Sequence, residues 1–113
     1  MKENNRPICK TDEDGTKRWY LNGKSHRVDG PAIEYPEGDK FWYFNDLLHR
    51  EDGPSVKYYN GDKAWHLHGQ RHRLDGPAIE WSNGHKEWFY HGKQIYCSSQ
   101  EEFERLIKLQ VLW

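Results

Sequence analysis

The chain is poor in the residues that staple, span or fill. It has two cysteines, one methionine and five prolines in 113 residues, and hydrophobic residues make up only 35%. Two cysteines are too few for a disulfide framework. Cys9 and Cys97 are also far apart in the sequence, unlike the ligands of a metal knuckle, so they read as reduced thiols in a cytoplasmic protein. No run approaches the roughly 20 apolar residues of a transmembrane helix, and Met1–Pro7 is followed by no apolar core, so no secretory signal is expected. Neither charge sign dominates. Lys and Arg total 17 against 18 Asp and Glu, a net charge of −1, which argues against a general nucleic-acid binder with its clustered positive excess. P-loop, G-x-S-x-G and H-E-x-x-H patterns are absent, so no catalytic residue is assigned.

What the chain does have is aromatic rings, at 15% of residues, placed periodically. Trp19, Trp42, Trp65 and Trp88 recur at a constant interval of 23. A fixed period of this size marks stacked supersecondary units in one domain. The units are 15–37, 38–60, 61–83 and 84–97, led by a partial repeat, 1–14, and followed by a helical cap, 98–113. With few aliphatic residues, such a stack would hold a thin layer of large rings, each burying roughly 150–250 Å².

Each unit reads as two short strands. The first covers Lys17–Leu21 and its equivalents, rich in Trp, Tyr and Phe. A two-residue turn follows at Asn22-Gly23, Asn45-Asp46, His68-Gly69 and His91-Gly92, where Asn-Gly is the strongest short hairpin signal. The chain then passes His-Arg-x-Asp-Gly-Pro and enters a second strand at Ala32–Tyr35, Ser55–Tyr58 and Ala78–Trp81. The expected fold is all-β, an elongated antiparallel meander of stacked hairpins closed by a C-terminal helix. Alternation within strands puts each tryptophan with Leu21, Phe44, Leu67 or Tyr90, in a ladder expected to include Ile33, Tyr35, Val56, Tyr58, Ile79 and Trp81. The opposite side would carry Tyr20, Tyr43, His66 and Phe89 with Ala32, Ser55 and Ala78, with Arg18 and Lys57 beside them and the terminal helix above.

The fourth unit changes course at Ile95-Tyr96. Ser99 followed by Glu102 is a capping-box pattern, and Phe103, Leu106, Ile107, Gln110 and Val111 follow helical spacing. An amphipathic helix there would cover the last exposed face of the stack.

The pattern G-x-x-x-W-x-x-N-G-x-x-H-R-x-D-G-P-A resembles the MORN repeat over Gly15 to about Tyr96, in the Asp-Gly-Pro-Ala version seen in bacterial, phage and large-virus proteins. The resemblance implies one hairpin per unit and a scaffold that binds other proteins and sometimes lipids.

The polar element recurs at His26-Arg27-Asp29-Gly30-Pro31, His49-Arg50-Asp52-Gly53-Pro54 and His72-Arg73-Asp75-Gly76-Pro77. A structural part is expected for Trp19, Trp42, Trp65 and Trp88, for the three Asp, whose carboxylates would bond nearby amides, for the three Gly, which would permit the bend, and for the three Pro, which would start the next strand. The arginines would pair with an aspartate, and each histidine would pack on the preceding tryptophan. A metal site is not expected: equivalent histidines in consecutive units lie nearly 10 Å apart, beyond shared coordination at about 2.0–2.1 Å. No cofactor is implied. Cys97 stands near a helix N-terminus, where a thiol can be activated, yet reads as a small packed residue. The candidate binding residues are Tyr20, Tyr43, His66 and Phe89 with Arg27, Arg50 and Arg73. The expected partner is another protein, and the chain is read as a non-enzymatic binding module. The resemblance further implies, for a compact scaffold without catalytic residues, a phage- or mobile-element-encoded inhibitor of a host factor such as a defence system. Nucleotide, nucleic-acid or lipid binding on an aromatic and basic face ranks second. A homodimer through the terminal helix or a sheet edge is compatible with the open ends of such a sheet.

Overall fold

The tight turns set the architecture. In the computed structural model, which describes residues 6–110, Asn22, Asn45, His68 and His91 sit at φ between 47° and 52°, and Gly23, Asp46, Gly69 and Gly92 follow at 68° to 83°. Two successive positive φ values define the type I′ hairpin turn. The turns between units are a second kind. Gly38 N–H returns to the Tyr35 carbonyl at 3.0 Å and Tyr35 N–H reaches the Asp39 carbonyl at 2.9 Å; Gly38 (φ +116°) supplies the conformation a three-residue hairpin loop needs at that point.

A leading strand, β1 (Ile8–Thr11), precedes the units. Unit one contains β2 (Lys17–Leu21), β3 (Lys24–Ser25) and β4 (Ile33–Glu34). Unit two contains β5 (Lys40–Phe41), β6 (Tyr43–Phe44), β7 (Leu47–Leu48) and β8 (Val56–Lys57). Unit three contains β9 (Lys63–Ala64), β10 (His66–Leu67), β11 (Gln70–Arg71) and β12 (Ile79–Glu80). Then come β13 (Lys86–Tyr90), β14 (Lys93–Ile95) and α1 (Gln100–Gln110). The main antiparallel sheet runs β1-β2-β4-β5-β8-β9-β12-β13-β14. The fold is thus an all-β hairpin meander with one C-terminal helix. Its extents are 50 × 37 × 17 Å, and its radius of gyration of 16.4 Å exceeds the about 13 Å of a globule of this length.

Each unit has more strand than the two segments expected. The residues after the type I′ turn pair back, β3 on β2, β7 on β6, β11 on β10 and β14 on β13. The tryptophan is the joint between this small hairpin and the main sheet. Trp19 N–H donates to Ala32 O at 2.8 Å, while Trp19 O accepts from His26 N–H at 3.1 Å; Trp42 and Trp65 repeat both bonds. The backbone therefore turns from one ladder to the other at each indole.

Register also corrects the expected faces. Ile33 lies opposite Arg18 and Phe41, Val56 opposite Phe41 and Ala64, and Ile79 opposite Ala64 and Glu87. Directly opposed residues share a face. The branched aliphatics thus stand with Tyr20, Tyr43, His66 and Phe89, not with the tryptophans. By the same pairing Lys57, opposed to Lys40 and Lys63, points to the tryptophan side. Alternation fixed the order within each strand, but the relative register of neighbouring strands decided the face.

The helix likewise covers the tryptophan side of the last hairpin rather than the Tyr20–Phe89 column. Phe103, fully buried, packs with Trp88 and Ile95, bordered by Tyr90, Cys97, Leu106 and Ile107. Ser99 Oγ accepts the Glu102 N–H at 3.1 Å, as a helix N-cap does. Glu102 reaches back one residue further than a standard capping box, accepting from the Ser98 N–H at 2.7 Å. Val111 lies outside the described residues.

Candidate functional site

The His-Arg-x-Asp-Gly-Pro element is a joint, and each member has a definite task. The Arg27 guanidinium lies 3.8 Å over the Trp19 ring, Arg50 4.0 Å over Trp42 and Arg73 3.8 Å over Trp65. A cation on an indole face contributes about 0.5–2 kcal/mol. Each Nε donates to the Asp two residues on at 3.0 Å, and each Nη1 donates to the proline carbonyl at 3.0–3.1 Å. The aspartates thus hold arginine rather than backbone amides.

The element's glycines do not supply positive φ. A Cβ on Gly30, Gly53 or Gly76 would lie 2.8, 2.8 or 2.5 Å from the guanidinium carbon of Arg27, Arg50 or Arg73. Glycine leaves room for a planar cation to lie between an indole and the bare backbone, and a side chain there would have to displace the guanidinium.

The histidines do not pack on the preceding tryptophans, where the arginines lie. Each reaches forward to the next unit. His26 Nδ1 accepts the Asn45 N–H at 3.1 Å, His49 Nδ1 the His68 N–H at 2.8 Å and His72 Nδ1 the His91 N–H at 2.8 Å. A backbone N–H only donates, so these three rings are neutral at Nδ1. Their faces meet the next unit as well: His26 on Phe44 at 4.3 Å, His49 on His68 at 4.4 Å and His72 on His91 at 4.1 Å between centroids. Burial, then the neighbouring His68 or His91, lowers the pKa of His49 and His72. No sequence signal separated arginine from histidine as the indole's cover; the four-residue spacing from arginine to proline bears only on the carbonyl bond.

The open sheet face carries rings in edge-to-face contact. Phe41 meets Tyr35 at 5.7 Å and Tyr58 at 5.8 Å, and the Arg18 guanidinium lies 5.7 Å from the Tyr35 ring. Tyr20 and Tyr43 are half-buried on this face, and Tyr58 and Trp81 are 43% and 40% exposed. His66 and Phe89 are buried. Phe89 packs on Ala78 and Ile79. His66 Nδ1 lies 2.7 Å from Ser55 Oγ. Ser55 gives its one proton to the Ala64 carbonyl at 3.1 Å, so the imidazole donates to the hydroxyl. Burial, with the Arg71 charge, lowers the His66 pKa to about 4. The exposed rings of this face are therefore Tyr58 and Trp81, flanked by half-buried Tyr35, Phe41 and Tyr43. A shallow hollow of about 200 Å³ lies among Phe41, Val56, Tyr58, Ile79, Trp81 and Arg71.

Comparison with family models, curated proteins and solved structures finds no match. The site has to be read from its own geometry.

A second surface follows the loop edge. Furrows of about 510 and 320 Å³ separate successive His-Arg-x-Asp-Gly-Pro loops, the larger between 50–54 and 72–75. Val28 and Leu74 project there, 78% and 53% exposed, beside aspartates whose side chains are 87–88% exposed. Burial and the Glu102 charge raise the pKa of the Cys97 thiol, which is the reverse of what activates a nucleophile.

Among the described residues no helix is long and apolar enough to cross a membrane.

Proposed function

We propose that this chain is a non-enzymatic module that binds another protein, with the ring-lined sheet face as its contact surface. The observation that carries the reading is the row Tyr35–Phe41–Tyr58, locked edge to face and continued by exposed Trp81. Aromatic residues and arginine anchor protein interfaces because they bury large area with few rotatable bonds. Rings already fixed by their neighbours have little freedom left to lose on binding. On the ring-lined face itself the hollow of about 200 Å³ falls below the roughly 300–1,000 Å³ of small-ligand sites, so nucleotide or lipid storage on that face ranks second. The MORN-like reading of the hairpin units points the same way, toward a protein-binding scaffold, and the two cysteines read as free thiols suit a cytoplasmic one. In that reading the module is a phage- or mobile-element-encoded inhibitor of a host factor. Homodimerisation through the terminal helix or a sheet edge is compatible with it.

The test is a tagged pull-down from the source cell with the wild type and with Tyr58→Ser plus Trp81→Ser, two exposed positions. The wild type is expected to retain a specific protein that the double variant loses. Equal retention by both would move the contact elsewhere. A small molecule released on denaturation, with no protein retained, would overturn the reading.

A further inference from the structure

On the tryptophan face, one row of side chains breaks a charge pattern that the rest of the row keeps. Cross-strand register pairs Lys17 with Glu34, Glu34 with Lys40, Lys40 with Lys57, Lys57 with Lys63, Lys63 with Glu80 and Glu80 with Lys86. Opposite charges alternate at both ends, while three lysines stand side by side at the centre. Like charges directly opposed on antiparallel strands are destabilising. Folding alone would favour a glutamate at position 57, as at the equivalent positions 34 and 80.

The same substitution leaves an arginine short of a partner. Arg27 Nη1 donates to Glu34 at 3.1 Å and Arg73 Nη1 to Glu80 at 2.8 Å. In the second unit Lys57 stands at that place, and Arg50 keeps the bonds to the aspartate and the proline carbonyl that all three arginines make. Among the described residues Lys40, Lys57 and Lys63 form no ion pair. Lys40 and Lys57 are exposed and Lys63 is half-buried.

We propose that Lys40, Lys57, Lys63 and Arg50 form the docking surface for a short acidic segment of a protein partner, whose carboxylates complete the charge alternation. This rests on the reading above that the chain binds a protein, adds a second contact on the face opposite the rings, and gives the chemistry of the partner. Charge complementarity and the size of the patch select the occupant. The lysine row spans three strands, about 10 Å, and Glu34 and Glu80 bound it on either side. A nucleic-acid strand running beyond the patch would meet those carboxylates, whereas a peptide with two or three acidic side chains fits between them.

The experiment is fluorescence anisotropy at low ionic strength with labelled hexaglutamate and, separately, a short labelled DNA duplex, on the wild type, Lys57→Glu and Lys24→Glu. Lys24 is exposed on β3 and outside the row, so its variant matches the charge change elsewhere. The wild type is expected to bind hexaglutamate in a salt-sensitive manner. Lys57→Glu is expected to weaken binding by about tenfold or more, while melting no lower than the wild type, since the change restores alternation and gives Arg50 a carboxylate. Lys24→Glu should stay within about twofold of the wild type. Absence of hexaglutamate binding by the folded wild type overturns the inference, as does equal weakening by both variants. Duplex bound as tightly as hexaglutamate overturns the choice of an acidic protein segment. If hexaglutamate fails while a Tyr58- and Trp81-dependent partner is still captured, this inference falls and the protein-binding reading stands.

Discussion

At the residue scale the decisive contact is a guanidinium pressed between an indole and a glycine. Two alanine substitutions separate this from ordinary glycine strain. Gly76→Ala would put a methyl 2.5 Å from the Arg73 guanidinium carbon and lift it from Trp65. Gly23→Ala has φ +79° with nothing within 4 Å of the new Cβ, so it carries only backbone strain. The expected losses are about 2–3 kcal/mol for Gly76→Ala, from overpacking and the lost cation contact, and about 1 kcal/mol for Gly23→Ala. Urea midpoints measure both, and the reverse order would contradict the clamp. A second residue-level outcome concerns acid. The His66 pKa is about 4 in the folded chain, well below its ordinary 6.5, because burial and Arg71 oppose the charge. Between these values the unfolded chain takes up a proton that the folded chain refuses, so stability is complete above pH 6.5 and falls as pH drops toward 4. The loss is about 3 kcal/mol, and His49 and His72, lowered for the same first cause, act in the same direction. Urea midpoints between pH 7 and 4.5 should fall, and His66→Gln should flatten much of that slope.

At the element scale the helix replaces what the fourth unit lacks. Units one to three cover each indole with an arginine, whereas Trp88 has Phe103 against it and donates its Nε1–H to Gln100 Oε1 at 2.8 Å. Gln100 also donates to the Leu74 carbonyl at 2.8 Å, which ties the helix to unit three. Phe103→Ala is expected to cost about 3–5 kcal/mol, with a red shift in tryptophan emission that follows exposure of Trp88; an unchanged melting temperature would contradict the cap. This element was legible in advance because Ser99, Glu102 and the apolar spacing are local signals. The strands after the type I′ turns were not. Lys24-Ser25, Leu47-Leu48 and Gln70-Arg71 are two-residue strands with no shared apolar pattern, and they exist because the turn geometry brings them back on the preceding strand.

At the scale of the whole molecule the period of 23 announced the stack, its meander and its closing helix. The faces were hidden because they depend on cross-strand register, which a strand's own alternation does not contain. The candidate site was legible only in part for the same reason. Tyr20 and Tyr43 stand half-buried on the sheet face that carries the branched aliphatics, burial takes His66 and Phe89 out of reach there, and register brings exposed Tyr58 and Trp81 to it. The arginines were singled out for binding, yet their guanidiniums lie on Trp19, Trp42 and Trp65, where they hold each unit together. Units joined only to their neighbours make stability a sum of local terms, and a whole unit becomes removable. Removal of residues 38–60 joins Glu37 to Gly61 and recreates the same inter-unit turn. Small-angle scattering and denaturant unfolding of that shortened chain test the account most directly. It predicts a folded protein with one cooperative transition and a long dimension shorter by two strand spacings, about 10 Å. An unfolded or collapsed chain would contradict the claim that the molecule is a stack of equivalent, nearest-neighbour units.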